Sequence, residues 1–184
     1  MRTLIFIFLV GALSSCGGYK EYTEQVQKLD SLLIEVNKAE KIFDELPHKE
    51  ITSRLDSIKS TISFLKTSIG DEITFDDGLL LDDYRSTKSI VKKFGNRSAQ
   101  IRVEFKRTQA QLKNFKKALG EGAAKDSNGE DITNEYVKEN MKLEVSAAEN
   151  LIRSVKELKE RSARFIKVNE EKLLVLSPVI ERFK

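Results

Sequence analysis

From Tyr19 onward, apolar residues return at alternating steps of three and four, the spacing that lines one face of a helix. A first segment carries Tyr19, Tyr22, Val26, Leu29, Leu33, Val36 and Phe43, with Glu40 the one polar interruption. It stops at Pro47, which lacks the N–H a continuing helix needs. A second segment carries Ile51, Leu55, Ile58, Ile62, Leu65 and Ile69 and ends at Gly70, a natural left-handed terminator. An acidic loop, 71–77, follows. The third segment keeps one frame over about forty residues: Leu80, Tyr84, Thr87, Val91, Phe94, Ser98, Ile101, Phe105, Thr108, Leu112, Phe115 and Leu119. Gly95 lies off that seam and reads as a tolerated glycine, costing about 1 kcal/mol relative to Ala. Gly120 and the polar run 121–130 form a loop. The fourth segment starts near Asp131 or Thr133, both good caps, and runs to about Ser177. Its first seam is Val137, Met141, Ala148, Leu151, Val155 and Leu158; the frame then slips to Ile166, Leu173 and Leu176, and Pro178 is expected to end or kink the helix.

No window alternates apolar and polar residues long enough to propose a strand. The pattern therefore predicts an all-α fold, either an antiparallel four-helix bundle or an elongated helical hairpin or coiled-coil assembly. A forty-residue helix is about 60 Å long, so part of a long hairpin would outreach two shorter helices. Composition agrees: 33% charged and 40% apolar residues, two Pro and no Trp among 184 residues are what long solvent-bathed helices contain. That length suits one domain, placed at 19–184.

The amino-terminal stretch follows a different rule. Arg2 supplies a positive charge, and Leu4 to Leu13 form an apolar run of ten residues. A bilayer-spanning helix needs about 20, whereas a signal-peptide core is this short. Leu13-Ser14-Ser15-Cys16 then resembles the lipobox of bacterial lipoproteins. The resemblance implies that 1–15 is a cleaved signal peptide and that the Cys16 thiol takes a diacylglycerol. It also implies that the new amino group can be acylated. Residues 16–18 become the lipidated cysteine and a flexible Gly17-Gly18 tether. By analogy with enterobacterial lipoproteins, Gly rather than Asp at 17 points to the outer membrane. Lys20 and Glu21 are similar to the start of some Bacteroidota lipoproteins. Cys16 is the only cysteine, so no intramolecular disulfide can form and helix packing must hold the fold.

Net charge is +3, falling by one without Arg2; its distribution is more informative. Between Arg85 and Lys117 stand eleven basic residues and one acid, Glu104, while the first segment carries seven acids and four lysines from Lys20 to Leu46. Lys92, Lys93, Arg97, Arg102, Lys106, Arg107, Lys113, Lys116 and Lys117 are thus candidates for meeting an anionic surface such as lipid head groups or lipopolysaccharide. The competing reading packs this basic helix beside the acidic first one, with surface pairs worth about 0–1 kcal/mol each.

Chemistry is sparse. One histidine, His48, in a solvated turn beside Pro47, and no second thiol exclude the usual zinc sets and a His-based triad. The run 126–131 lacks EF-hand spacing and reads as a turn into a helix cap. Asp30-Ser31-Leu32 and Asp56-Ser57-Ile58 are similar to the Asp-Ser/Thr-apolar O-glycosylation sites of exported Bacteroidota proteins, which makes Ser31 and Ser57 candidate acceptors. No catalytic, cofactor or metal site is expected. The sequence points to a non-enzymatic envelope lipoprotein, held to its membrane by lipid and presenting a helical surface to a protein partner or to itself. The alternative is a helical module binding an anionic lipid, glycan or small ligand. Nucleic acid is not an expected partner outside the cytoplasm.

Overall fold

A computed structural model describes residues 21–69, 73–126 and 128–183. The expected signal peptide, Cys16, the expected Gly17-Gly18 tether, Gly70 and the start of the acidic loop lie outside these residues. The helices run α1 (Thr23–Asp44), α2 (His48–Ile69), α3 (Phe75–Ser86), a 3-10 turn (Thr87–Ser89), α4 (Phe94–Gly120) and α5 (Asn134–Arg182). The chain is an all-α bundle, as the periodicity predicts, and the described residues hold no strand beyond one isolated bridge between Lys125 and Asp131.

The 49-residue α5 is the spine, about 74 Å long at 1.5 Å per residue. Its first half packs against α1 and α4, and its second half against α2 and α3. Cross-helix bonds give the directions. Tyr22 reaches Asn134, so α1 and α5 start together. Lys116 meets Asp30 and Arg102 meets Asp44, so α4 runs opposite to α1. Asp83 meets Lys172 and Asp77 meets Arg182, so α3 runs opposite to α5. At every level three helices enclose the core, and α2 and α3 cover the stretch of α5 that a long hairpin would leave bare. All buried hydrophobic side chains fall between Leu29 and Val179, so residues 21–183 contain the whole described core.

The central positions of the α1 and α2 seams bury as expected, while Tyr22, Val26, Leu55 and Ile62 are half-buried. Leu29, Leu33, Val36 and Phe43 are buried in α1, where Ala39 takes the place beside Glu40; Ile51, Ile58 and Leu65 are fully buried in α2. The third segment differs. It is broken between Ser86 and Phe94 by the 3-10 turn and by Lys93, whose φ of 60° lies in the left-handed region. Thr87, Val91 and Phe94 nevertheless stay buried, because 3-10 turns also return a side chain to one face every third residue. Gly95 has open space around it and causes none of this.

Termini are closed by identifiable groups. Thr133 caps α5, accepting from Tyr136 N at 3.2 Å. At α3, Thr74 accepts from Asp77 N at 3.2 Å and donates to Asp77 Oδ2 at 2.7 Å, a reciprocal cap. The Thr74 hydroxyl, helped by Arg182, holds the buried Asp77 carboxyl below the usual range against the opposing effect of burial. α4 ends in a Schellman motif: Ala123 N donates to Ala118 O at 3.0 Å and Gly122 N to Leu119 O at 3.3 Å. Gly122, at φ 64°, is the left-handed residue this requires.

Pro178 does not end α5, which continues to Arg182. A proline at 178 leaves the carbonyl of Leu174 without its helical donor, and the Ser177 hydroxyl supplies one at 2.8 Å. Ser177→Ala should therefore cost about 0.5–1.5 kcal/mol in the parent chain and much less with Pro178→Ala. Equal losses in both backgrounds, measured as a thermal double-mutant cycle, would remove this role.

Candidate interaction surfaces

The basic run is divided by the break before α4. Lys92 and Lys93 sit exposed in the turn; the other seven candidates lie on α4. Three of these are taken up against α1 or α5. Lys116 pairs with Asp30 at 2.5 Å, Arg102 pairs with Asp44 at 3.3 Å and lies 5.1 Å over the Phe43 ring, and Arg97 donates to Ser154 Oγ at 2.6 Å. Between Lys116 and Arg102, Gln109 bonds Asn37 and Glu40, so the acidic and basic helices are stitched along their length. Arg107 faces Glu144 electrostatically. Lys106, Lys113 and Lys117 remain on the outer face at helical spacings of seven and four, with only Glu121 near Lys117, at 3.9 Å.

Between α4 and α5 lies a polar cleft of about 560 Å³ whose lining includes Arg97, Arg107, Gln111, Asn140, Glu144 and Asn150. Glu144 is half-buried; burial raises its carboxyl above the usual range, partly offset by Arg107, and Oε2 has no hydrogen-bond partner. A carboxyl raised on folding contributes its full stability only while protonated, below the ordinary glutamate pKa of about 4.3, and loses it as pH rises through the folded value. Glu144→Gln should stabilise the protein at neutral pH by at most about 1 kcal/mol, given solvent screening, or about 2–4 °C in Tm. The gain should vanish in acid. An equal gain at both pH values would show that ionisation is not the cause.

The described residues of the 126–131 run turn into the α5 cap. Asp126 Oδ1 accepts from Asn128 N at 2.8 Å and Glu130 N at 2.9 Å, and Oδ2 accepts from the Tyr136 hydroxyl at 2.8 Å. The Glu130 amide and the Tyr136 hydroxyl hold the Asp126 carboxyl below its usual range. Burial and Asp126 push the Tyr136 phenol up to about 12.

His48 is not a solvated turn residue. It is half-buried at the start of α2 and its Nε2 lies 2.9 Å from the carbonyl of Phe43. Its ring sits 5.0 Å from Phe43 and 5.5 Å from Phe94. Ser31 and Ser57 are exposed in mid-helix, the Ser31 hydroxyl donating to Gln27 O at 3.1 Å.

Two surfaces were not legible from one segment at a time. At the far end from Thr23, Phe75 (81% exposed) and Leu79 stand one turn apart on the outer face of α3, and Leu174 and Val175 are exposed near the end of α5. Beside Tyr22, a groove runs between α1 and α5. Among the described residues no helix is long and apolar enough to cross a membrane. No protein-family model matches the chain, and no curated protein or solved structure matches it.

Proposed function

We propose that this chain is an exported bacterial lipoprotein, tethered through Cys16 to the outer membrane, whose bundle is a non-enzymatic interaction element. The observation that carries the reading is Leu13-Ser14-Ser15-Cys16 placed directly after a ten-residue apolar run. Two or three acyl chains make a stable anchor, because each buried CH₂ contributes about 0.8 kcal/mol and one chain alone binds marginally. The bundle's length supports a spacer role: with the tether at the Thr23 end, Phe75, Leu79, Leu174 and Val175 stand at the opposite end, where a protein partner or second copy can meet them. O-glycosylation at Ser31 and Ser57 belongs to the same reading, and an unmodified intact mass in the native host removes it.

Cells grown with radiolabelled palmitate should label the parent protein, and Cys16→Ala should abolish the label and leave the leader attached. An unlabelled parent protein overturns the tether. The alternative, a cationic face docking on anionic head groups, is favoured by Lys106 and Lys113, which have no ion pair among the described residues. Replacing Lys92, Lys93, Lys106 and Lys113 by Gln tests it: unchanged binding to anionic liposomes or lipopolysaccharide at low salt removes it. A pull-down from native membranes separates the two: a stoichiometric protein partner favours the scaffold, co-purified lipid the binding module.

A further inference from the structure

The groove between α1 and α5 combines an apolar floor with a basic rim. Its floor is apolar, formed by the core residues Val137 and Met141, 2% and 9% exposed, and by half-buried Val145. Its rim carries Lys28, Lys138 and Lys142, all exposed, and none is in an ion pair among the described residues. Its wall includes Gln25. The Tyr22 hydroxyl, bonded to Asn134 at 2.8 Å, ties the two helices together at one end. Two adjoining hollows of about 490 and 450 Å³ share Lys28, Lys138 and Met141, so the groove is continuous. Glu24 lines one end and Glu149 the other, which confines the favourable site for an anion to the middle.

We propose that this groove binds one anionic glycerophospholipid of the membrane to which the chain is tethered. The lysines hold the phosphate, and an acyl chain lies along the floor, chiefly against Val145 and the lysine stems. The choice of a membrane lipid rests on the Cys16 tether and on chain length. Five residue steps separate Cys16 from Glu21, and an extended chain spans at most about 3.6 Å per step. The groove's Tyr22 end therefore stays within about 18–22 Å of the anchored lipid. Lysine stems flanking apolar surface with charged heads outward are the usual arrangement at a lipid headgroup.

The test uses residues 21–184, which contain the whole described core and lack Cys16, so its outcome is independent of palmitate labelling. The probe is dihexanoyl-phosphatidylglycerol below its micelle concentration, titrated by calorimetry. Saturable binding is expected, weakened about tenfold or more by Lys138→Gln with Lys142→Gln and abolished by Val145→Asp. Thermal unfolding confirms that each variant is folded. The phosphatidylcholine analogue should bind at least about tenfold more weakly, and glycerol 3-phosphate should not compete. The proposal is overturned if phosphatidylglycerol does not bind or the groove variants bind like the parent. It is also overturned if glycerol 3-phosphate binds as well as the lipid, or if the loss instead follows Lys106→Gln with Lys113→Gln on α4.

Discussion

Phe43→Ala is expected to remove about 3–5 kcal/mol of stability, roughly 6–20 °C in Tm for a chain of this size. Phe43 is 1% exposed and is the last buried residue of α1. Its ring lies 5.8 Å from Phe105 and 5.0 Å from His48, and Arg102 covers it at 5.1 Å. His48 in turn reaches Phe94, the first residue of α4. This cluster stands where both helical columns beside α5 are interrupted, α1 to α2 at Glu45–Pro47 and α3 to α4 at 87–93. Only α5 crosses that level unbroken, and aromatic packing joins the ends of the interrupted helices beside it. Truncating Phe43 opens a cavity where two helices beside α5 are interrupted, and it removes the face under Arg102. Ile34→Ala, at a side chain 55% exposed on the same helix, should change stability by less than about 0.5 kcal/mol. Urea or thermal unfolding followed by circular dichroism measures both. A Phe43→Ala loss below about 1 kcal/mol would mean that the joint is held by something else.

The joint also marks where periodicity stopped being informative. Spacings of three and four continue from Tyr84 through Thr87, Val91 and Phe94 to Ile101, and all of these are buried. Neither Gly nor Pro marks the break; the left-handed position is a lysine. A hydrophobic pattern records which face a side chain occupies, and a short 3-10 turn preserves that face while the helix ends. The α5 seam failed differently. Ile166 and Leu173 are only half-buried, while Ser162, Phe165 and Asn169 lie in the core beside Leu176 and Val179. Two of those five are polar, and a count of apolar residues passes over them.

Caps were easier to read, because Thr133 and its amide partner are three residues apart in one segment. The groove was not legible at all: Lys28 meets Lys138 and Lys142 across more than a hundred residues, and no local spacing encodes which helices become neighbours. The basic run was legible as charge but not as surface. Asp30 and Asp44 take up Lys116 and Arg102, and that depends on α1 and α4 packing antiparallel.

Asn169 gives the second large effect, in the opposite direction. Asn169→Leu should raise stability by about 1–3 kcal/mol. The residue is 2% exposed, its Nδ2 has no partner, and its Oδ1 accepts only a long 3.4 Å bond from Arg54. Arg54 does not depend on it, because the guanidinium also bonds Glu50 at 2.8 Å and Glu170 at 2.6 Å. An apolar side chain of similar volume therefore removes a desolvated amide and strands nothing. The reverse experiment separates this from a simple gain in packing. Arg54→Met leaves the Asn169 oxygen buried without its donor and should lose about 1–3 kcal/mol, a loss that shrinks when Asn169→Leu is already present. Such non-additivity in a double-mutant cycle assigns the penalty to the amide; additive effects would show that the two side chains act separately. A buried polar residue kept at this cost, in the half of α5 that also pairs Glu170 with Arg54 of α2 and Lys172 and Arg182 with Asp83 and Asp77 of α3, fits a role in holding those helices in one register.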